Sequence, residues 1–109
     1  MIILHAAKET DYEKSLKSGY YGDFAIKKDG FIHCSTAEEM LNVANENLKD
    51  IDELLTVLFI DTKKLESEIK WEKRGKNGIQ FPHVYGLINL DSVIKRSPLF
   101  KDELGNFYF

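Results

Sequence analysis

The sequence is poor in the features that mark several specialised classes of protein. It has one cysteine, Cys34, among 109 residues, which excludes an internal disulfide and fits a reducing, cytoplasmic setting. No apolar run reaches the roughly 18–20 residues that a membrane-spanning helix requires. The N-terminal Met-Ile-Ile-Leu-His also lacks the basic region of a signal peptide. We therefore expect a cytoplasmic protein with no membrane association.

Basic residues are not in excess either, because 15 lysines and arginines are set against 18 aspartates and glutamates, for a formal net charge of -3. A negative net charge disfavours general binding to nucleic acids and to anionic lipid surfaces, since both are themselves negatively charged. Internal repeats, low-complexity tracts and linkers are also missing from the sequence. What remains is an ordinary globular composition, 43% hydrophobic, which predicts a single domain over residues 1–109.

The order of the apolar patterns predicts a compact α+β fold with small mixed or antiparallel sheets and two main helices. Helical spacing predicts the helices within residues 10–19 and 36–48, whereas the continuous apolar run at 54–60 predicts a central strand covered on both faces. Two further strands are expected at 93–100 and 106–109, around a turn. Strands and helices do not alternate regularly, which disfavours a doubly wound sheet.

Residues 30–39, Gly-Phe-Ile-His-Cys-Ser-Thr-Ala-Glu-Glu, form the most informative stretch. A short strand is expected to run directly into a helix, which Ser35 or Thr36 would cap together with a glutamate three residues further on. The backbone N–H groups at such a helix start carry positive partial charge and suit an anion. The two-residue period of the strand predicts that Phe31, His33 and Ser35 share one face and that the apolar residues between them share the other.

Three histidines lie beside strand patterns: His5, His33 and His83. His83 belongs to the stretch Phe-Pro-His-Val-Tyr-Gly at 81–86, where the period of two groups it with Phe81 and Tyr85. Pro82 indicates an edge strand or the start of a strand, because it lacks the N–H that a central strand needs. His33 and His83 each share a face with an aromatic ring and a hydroxyl group, which suits a pocket for a polar aromatic ligand. The alternative is three unrelated histidines that bond to backbone groups at separate strand ends.

The same histidines could form a catalytic zinc centre with an open fourth position. No short-spaced pair of histidines supports such a centre, and His33 and Cys34 diverge because neighbours on a strand point to opposite faces. A nucleophilic Cys34 would need a low pKa and an adjacent base. Its apolar face instead predicts a buried structural thiol.

Glu72 and Arg74 are the charged candidates. Glu72 follows Trp71 and is either a catalytic acid or a charge on the surface of a strand. Arg74, with Lys73 and Lys76 near it in a glycine-containing loop, either reaches a phosphate or belongs to a solvated loop.

The order of these motifs resembles the family of small, mostly bacterial proteins known as domain of unknown function 952. The motifs are a first strand ending in His5, Gly-Phe-Ile-His-Cys-Ser-Thr at 30–36, an apolar strand ending in Asp61, Trp-Glu at 71–72 and Phe-Pro-His-Val-Tyr-Gly at 81–86. The resemblance covers roughly residues 1–99. The last ten residues, 100–109, extend past it and are expected to form a hairpin strand.

The resemblance implies a fold distantly similar to the ADP-ribosyltransferase superfamily, whose members bind NAD in a central cleft between two small sheets. By correspondence of motifs, His5 would hold the nicotinamide ribose. His33, Ser35 and Thr36 would line one wall of the cleft, and residues 81–86 would form the opposite wall.

The chain departs from that superfamily where a late strand should carry a catalytic glutamate, and His83 or Glu72 would have to take the role. Breaking an N-glycosidic bond builds positive charge on the ribose, which a carboxylate stabilises better than neutral histidines do. Histidines do suit phosphate contacts and proton transfer near pH 7. The expected site therefore recognises or processes a nucleotide-like ligand rather than ADP-ribosylating proteins.

Together these considerations predict a His-lined pocket for an NAD-like, ADP-ribose-like or other phosphorylated nucleotide ligand, with a transferase or glycohydrolase reaction if the site is catalytic. No metal is assigned, and NAD or ADP-ribose is the expected small-molecule partner. The residues assigned to catalysis are His33, His83 and Glu72. The residues assigned to ligand binding are His5, Ser35, Thr36, Phe81, Tyr85 and Arg74. The alternatives are a non-catalytic protein-interaction module and a metal-dependent hydrolase.

Overall fold

The computed structural model describes residues 1–74 and 77–109, so Lys76 of the predicted phosphate-reaching loop lies outside the described residues. Within those ranges the chain is an α+β domain with three short α-helices, one 3-10 turn and three antiparallel sheets. The strands are β1 (Ile2–Lys8), β2 (Tyr20–Tyr21), β3 (Ile32–His33), β4 (Leu55–Asp61), β5 (Glu68–Lys73), β6 (Gln80–Tyr85), β7 (Ile88–Asn89), β8 (Val93–Lys101) and β9 (Phe107–Tyr108). The helices are α1 (Glu9–Ser15), α2 (Asp23–Asp29) and α3 (Met40–Asn47), and the 3-10 turn is Leu90–Ser92.

The largest sheet has the strand order β1-β4-β8-β9. Its inner strand β4 contributes to two hydrophobic cores, because Leu58 and Ile60 belong to one core and Val57 to the other. The second core also contains Met40 of α3. The prediction of a central strand covered on both faces is therefore confirmed, and its unbroken apolar sequence follows from that double burial.

The second sheet has the order β3-β6-β5. Ile32 of β3 pairs with Val84 of β6, and His33 pairs with His83. Ile32 and Val84 are fully buried in the first core. Because successive side chains of a strand point to opposite faces, the two histidines lie together on the outer face of this sheet.

Pro82 lies in an inner strand, so the prediction of an edge or starting position for it is wrong. The strand tolerates proline at this position because the backbone pairing of β6 with β3 ends at Pro82. The N–H of Cys34 donates to the carbonyl of Pro82 over 3.2 Å. Proline has no N–H to return the second bond of an antiparallel pair, so the ladder stops after His33.

The segment after β3 joins the second sheet to the first. Ser35 and Leu4 exchange backbone hydrogen bonds of 2.8 Å in both directions, which brings this segment alongside β1. The sheets therefore curl into a half-barrel. Within it, residues 30–36 and 81–86 lie side by side, and the prediction that they form opposite walls of a cleft is wrong.

Three short helices take the place of the two main helices that the sequence predicts. α1 corresponds to the predicted helix at 10–19 but ends at Ser15. α2 forms where the sequence shows no clear helical period, and Gly30 ends it with a φ of 82°, a left-handed conformation that glycine adopts without strain. In residues 1–74 and 77–109, no helix is long and apolar enough to cross a membrane.

The third helix, α3, begins at Met40, one turn later than the sequence predicts. Thr36 does accept the backbone N–H of Glu39 through its Oγ1, over 3.3 Å. That bond closes a turn ahead of the helix, and the N-cap position is occupied by Glu39 itself. The predicted anion site at a helix start directly after His33 is thus absent from residues 30–39, because the turn separates the two.

The last residues extend the large sheet. β8 and β9 pair antiparallel, with Phe100 opposite Tyr108 and Lys101 opposite Phe107. Phe107 is buried in the second core, and its backbone N–H donates to the Oδ1 of Asn45 on α3 over 2.8 Å. The C-terminal hairpin therefore packs against α3.

Candidate functional site

An open groove of about 1270 Å³ runs along the half-barrel, and all three histidines line it. Aromatic side chains contribute to its lining at Tyr21, Phe24, Phe31 and Phe81. Charged side chains near the histidines contribute at Lys28, Asp29 and Arg74. The three histidines, which come from three separate strands, thus border the same groove.

His33 and His83 form the centre of this site. They are direct partners across β3 and β6, and their ring centroids are 5.4 Å apart. Phe31 stacks on His83 with centroids 4.3 Å apart and an interplanar angle of 22°, and it also contacts His33 at 4.6 Å. The Tyr85 ring lies 5.2 Å from Phe31. The outer face of the second sheet is thus an aromatic surface with two imidazoles embedded in it.

Glu72 on β5 binds two members of this surface through one oxygen. The Nδ1 of His83 donates to Oε1 of Glu72 over 2.9 Å, and the Tyr85 hydroxyl donates to the same oxygen over 2.5 Å. Both hydrogen bonds hold the pKa of Glu72 below its ordinary value, and the bond from Tyr85 has the larger effect. The bond to Glu72 raises the pKa of Tyr85. Glu72 is therefore an ionised acceptor that orients both groups.

The orientation of His83 leaves its second nitrogen available. Because Nδ1–H donates to Glu72, the neutral ring carries its lone pair on Nε2. The His83 side chain is 6% exposed. In residues 1–74 and 77–109, no group bonds to Nε2, and no fully buried side-chain nitrogen or oxygen lacks a partner. It follows that Nε2 keeps some accessible surface, and since His83 lines the groove, Nε2 can accept a proton or a hydrogen bond there.

His33 is held on both of its nitrogens. Nη1 of Arg74 lies 2.5 Å from Nδ1 of His33, to which it donates, and 3.5 Å from Nε2, and Nε2 of His33 lies 3.2 Å from Oδ2 of Asp29. The first bond requires an unprotonated Nδ1, so the proton of the neutral ring is on Nε2 and is donated to Asp29. Partial burial and the positive charge of Arg74 lower the pKa of His33, against an opposing contribution from Asp29.

His5 is also occupied on both nitrogens, but by groups of the protein interior. Its Nδ1 donates to the backbone carbonyl of His33 over 2.6 Å, and its Nε2 accepts from the Tyr21 hydroxyl over 2.8 Å. Burial lowers the pKa of His5 to about 4, so the ring is neutral near pH 7. The geometry makes His5 a bridge from β1 to β2 and β3, and contact with a ribose would require it to release Tyr21.

The remaining predicted residues divide between the groove and its surroundings. Phe81 lines the groove. Ser35 borders it, but its buried hydroxyl donates to the carbonyl of Thr36 over 3.1 Å, and Thr36 closes the turn before α3. His33 and Ser35 both line the groove, whereas Ile32 and Cys34 both lie in the first core, as the two-residue period predicts.

Cys34 has no role in this chemistry. Its thiol is buried in the first core, and burial raises its pKa. The prediction of a buried structural thiol is confirmed. Among the residues that the structure describes, no group of three or more His, Cys, Asp or Glu side chains is placed to hold a metal ion.

Three residues of the site have no assignment from the sequence: Tyr21, Asp29 and Phe31. The period of two does place Phe31 on the face of His33, so its stacking role had a signal in the sequence. Asp29 is four residues before His33, at the end of α2. Tyr21 reaches His5 only because β2 folds against the same core, which no local pattern indicates.

Comparison with known proteins finds one family whose sequence model matches most of the chain and several solved structures with a similar fold. The sequence model of the family described as "Protein of unknown function (DUF952)" matches residues 6–96. The X-ray crystal structure of protein CC0527 from Caulobacter crescentus is similar, with a TM-score of 0.85 and 24% sequence identity over 99% of this chain and 94% of that chain. A double mutant of CC0527 has a TM-score of 0.85 at 23% identity, over 99% of this chain and 94% of that chain.

The solution NMR structure of CC0527 is similar as well, with a TM-score of 0.77 and 24% identity over 96% of this chain and 90% of that chain. At this level of identity the likeness shows the fold alone. No curated protein matches the chain.

Proposed function

The chain belongs to the DUF952 family of proteins of unknown function, and we propose that its groove binds an NAD-like, ADP-ribose-like or other phosphorylated nucleotide ligand. The DUF952 family resemblance, which implies a fold distantly similar to the ADP-ribosyltransferase superfamily, supports this ligand class, and that distant relationship of the folds is part of the proposal. The proposed reaction is transfer or hydrolysis at the N-glycosidic bond of that ligand.

One observation carries the proposal, namely the pairing of His83 with Glu72. Its Nδ1–H donates to Glu72 over 2.9 Å, which leaves Nε2 open to the groove beside the ring of Phe31. A histidine oriented by a carboxylate, with its other nitrogen facing a pocket, is the arrangement that general-base catalysis needs.

The groove also has the size and the surfaces for a nucleotide. Its volume of about 1270 Å³ exceeds the roughly 300–1,000 Å³ of ordinary small-molecule pockets. Phe31 and Phe81 offer faces on which a nucleobase or nicotinamide ring can stack. Arg74 and Lys28 line the same groove and offer positive charge to phosphates.

The proposed reaction uses Nε2 of His83 as its general base. The bond between the ribose anomeric carbon and the base nitrogen breaks, and its electron pair leaves with the base. Water or an acceptor hydroxyl forms the new bond to the anomeric carbon and gives its proton to Nε2 of His83. The ionised carboxylate of Glu72 stabilises the resulting imidazolium. Glu72 thereby takes the role of the acidic residue of the superfamily, through His83 rather than by contact with the ribose.

The test is a binding and turnover experiment on three variants. We expect NAD or ADP-ribose to raise the melting temperature and to give saturation-transfer NMR signals with the wild type. His83→Asn keeps an amide N–H for Glu72 but has no Nε2, so it should bind the ligand and lose nicotinamide release. Phe31→Ala should weaken binding itself. Phe100→Ala, at an exposed position of the C-terminal hairpin, is the matched control.

Absence of binding to NAD, ADP-ribose and nucleoside phosphates at millimolar concentration would contradict the proposal. Binding without release of nicotinamide by the wild type would leave the ligand class standing and would remove the reaction.

The two alternatives have less support in the described residues. An interaction module is compatible with histidines at separate sites, whereas His5, His33 and His83 line one groove. A metal-dependent hydrolase requires a ligand set, and residues 1–74 and 77–109 supply no group of three suitable side chains. The nucleotide pocket is therefore the function that the geometry supports best.

A further inference from the structure

We propose that Arg74 and His33 form a phosphate subsite of the groove, in which a bound phosphate group draws Arg74 away from Nδ1 of His33 and His33 takes up a proton there. The inference rests on the proposed function, because it assigns one part of the same ligand to named residues. It goes further by coupling ligand binding to the charge of the site.

The contact between Arg74 and His33 uses little of the hydrogen-bonding capacity of a guanidinium group. Arg74 donates Nη1–H to a neutral imidazole nitrogen over 2.5 Å. A guanidinium has five N–H donors in a planar fork, and it matches a phosphate with two parallel charge-assisted bonds. Such bonds are roughly twice as strong as hydrogen bonds between neutral groups. A phosphate in the groove would therefore compete successfully with Nδ1 of His33 for the arginine.

The surroundings of His33 prepare it for a proton once Arg74 has moved. Asp29 faces Nε2 from the end of α2 at 3.2 Å, Arg74 faces Nδ1 from the end of β5, and His83 faces the ring from β6 at 5.4 Å between centroids. The uncharged ring of Phe31 covers the remaining side at 4.6 Å. Partial burial is the largest effect that opposes the imidazolium, Arg74 and His83 add to it, and Asp29 favours the imidazolium. A phosphate bound to Arg74 offsets the positive charge of the arginine with its own negative charge, so protonation of His33 becomes favourable. Solvent supplies the proton.

The position of this subsite fits the rest of the ligand. Arg74, Asp29 and His33 line the groove next to His83. A phosphate held at Arg74 and His33 would place the adjoining ribose over Phe31 and within reach of Nε2 of His83. The charged anchor and the open general base are thus neighbours, as a phosphorylated ribose requires.

The experiment follows the titration of each histidine by NMR of the ring Cε1–Hε1 groups, at constant ionic strength. The probes are inorganic phosphate and ADP-ribose, whose pyrophosphate keeps a constant charge over the titration range. We expect either probe to raise the pKa of His33 by about one unit, equivalent to a tenfold change in proton affinity. By linkage, affinity for ADP-ribose should then rise up to about tenfold as pH falls through that pKa.

Two variants separate the proposed coupling from a general effect of charge. Arg74→Gln should raise the pKa of His33 in the absence of any probe and should abolish the further rise on adding phosphate. Lys70→Gln removes another cation from the same strand, one that lies over the Tyr85 ring at 4.6 Å, and should leave the response to phosphate intact. A His33 titration that neither inorganic phosphate nor ADP-ribose changes, or an intact response in Arg74→Gln, would overturn the inference.

The outcomes also distinguish this inference from the proposed function. A response of His33 to inorganic phosphate that depends on Arg74, without binding of ADP-ribose, would support the subsite and contradict the nucleotide pocket. Binding of ADP-ribose that leaves the pKa of His33 unchanged would support the pocket and overturn the subsite. A response to ADP-ribose but not to inorganic phosphate would identify the source of the phosphate as the nucleotide and would support both.

Discussion

His5 connects three strands as a neutral side chain, so the free energy of unfolding should depend on its protonation. Burial lowers the pKa of His5 from the ordinary 6.5 to about 4. Between these two values a proton binds to the unfolded chain but not to the folded one. The contribution of His5 to stability is therefore complete above about pH 6.5 and is lost as the pH falls toward 4.

The size of this effect follows from the two pKa values. At about 1.4 kcal/mol for each pKa unit, protonation of the unfolded chain should lower the free energy of unfolding by about 3 kcal/mol between neutral pH and pH 4. This is a large part of the ~5–15 kcal/mol that stabilises an ordinary domain. The ionised Glu72, whose pKa is lowered in the folded protein, adds to the loss at low pH. A comparison of variants is therefore needed to isolate the part due to His5.

The assay is urea unfolding of the wild type and of His5→Asn from pH 7 to pH 4. The asparagine cannot take a proton, so its stability should fall less steeply with acid. At pH 7 the variant should be less stable by about 1 kcal/mol, since it loses hydrogen bonds of that net value. At pH 4 the order should reverse, with the variant more stable by about 2 kcal/mol. His33→Asn should keep the acid dependence that His5 causes. Parallel curves for wild type and His5→Asn would refute the reasoning.

Three further predictions concern other parts of the molecule. Glu72→Gln should lower the pKa of Tyr85 toward its ordinary value, because the charged acceptor of its hydroxyl is removed; a titration of the tyrosine ring carbons by NMR measures this. The thiol of Cys34 should react with a disulfide reagent only in denaturant, because it is buried and its pKa is raised, and rapid reaction of the native protein would contradict this assignment. Gly22→Ala should cost about 3 kcal/mol of unfolding free energy, because the new methyl group would overlap the buried isoleucine of β3 at a φ of 106°. Gly30→Ala, at a φ of 82° with open space around it, should cost only about 1 kcal/mol. Equal losses of unfolding free energy for the two variants in urea would contradict the predicted overlap at Gly22.

Where strands are regular, local periodicity predicts which residues share a face. Phe31 and His33 lie on one face of β3, as the period of two predicts, and Ile32 lies on the buried face. The same period continues beyond the last paired residues of β3, because Cys34 lies in the first core and Ser35 borders the groove, although the ladder to β6 ends where Pro82 cannot return a hydrogen bond. Alternation along a strand is a property of extended backbone, and it says nothing about where the extension stops.

Contacts between side chains of different strands could not be predicted from the sequence for a different reason. The bond from His83 to Glu72 depends on the register of β5 against β6, which places Glu72 opposite Phe81 and diagonal to His83. A shift of that register by one residue would move Glu72 to the other face of the sheet. Glu72 could be named as a candidate from the sequence, but its partners could not.

Three local features of this protein can be predicted from its sequence alone: the apolar central strand, the buried thiol of Cys34 and the face shared by Phe31 and His33. These depend on the spacing of neighbouring residues, which a chain carries in any conformation. Tertiary structure alone decided that His33 lies opposite His83 and that His5 is closed off by Tyr21. These contacts join residues far apart in the sequence, so they follow from strand register and the packing of a common core, which no local pattern contains.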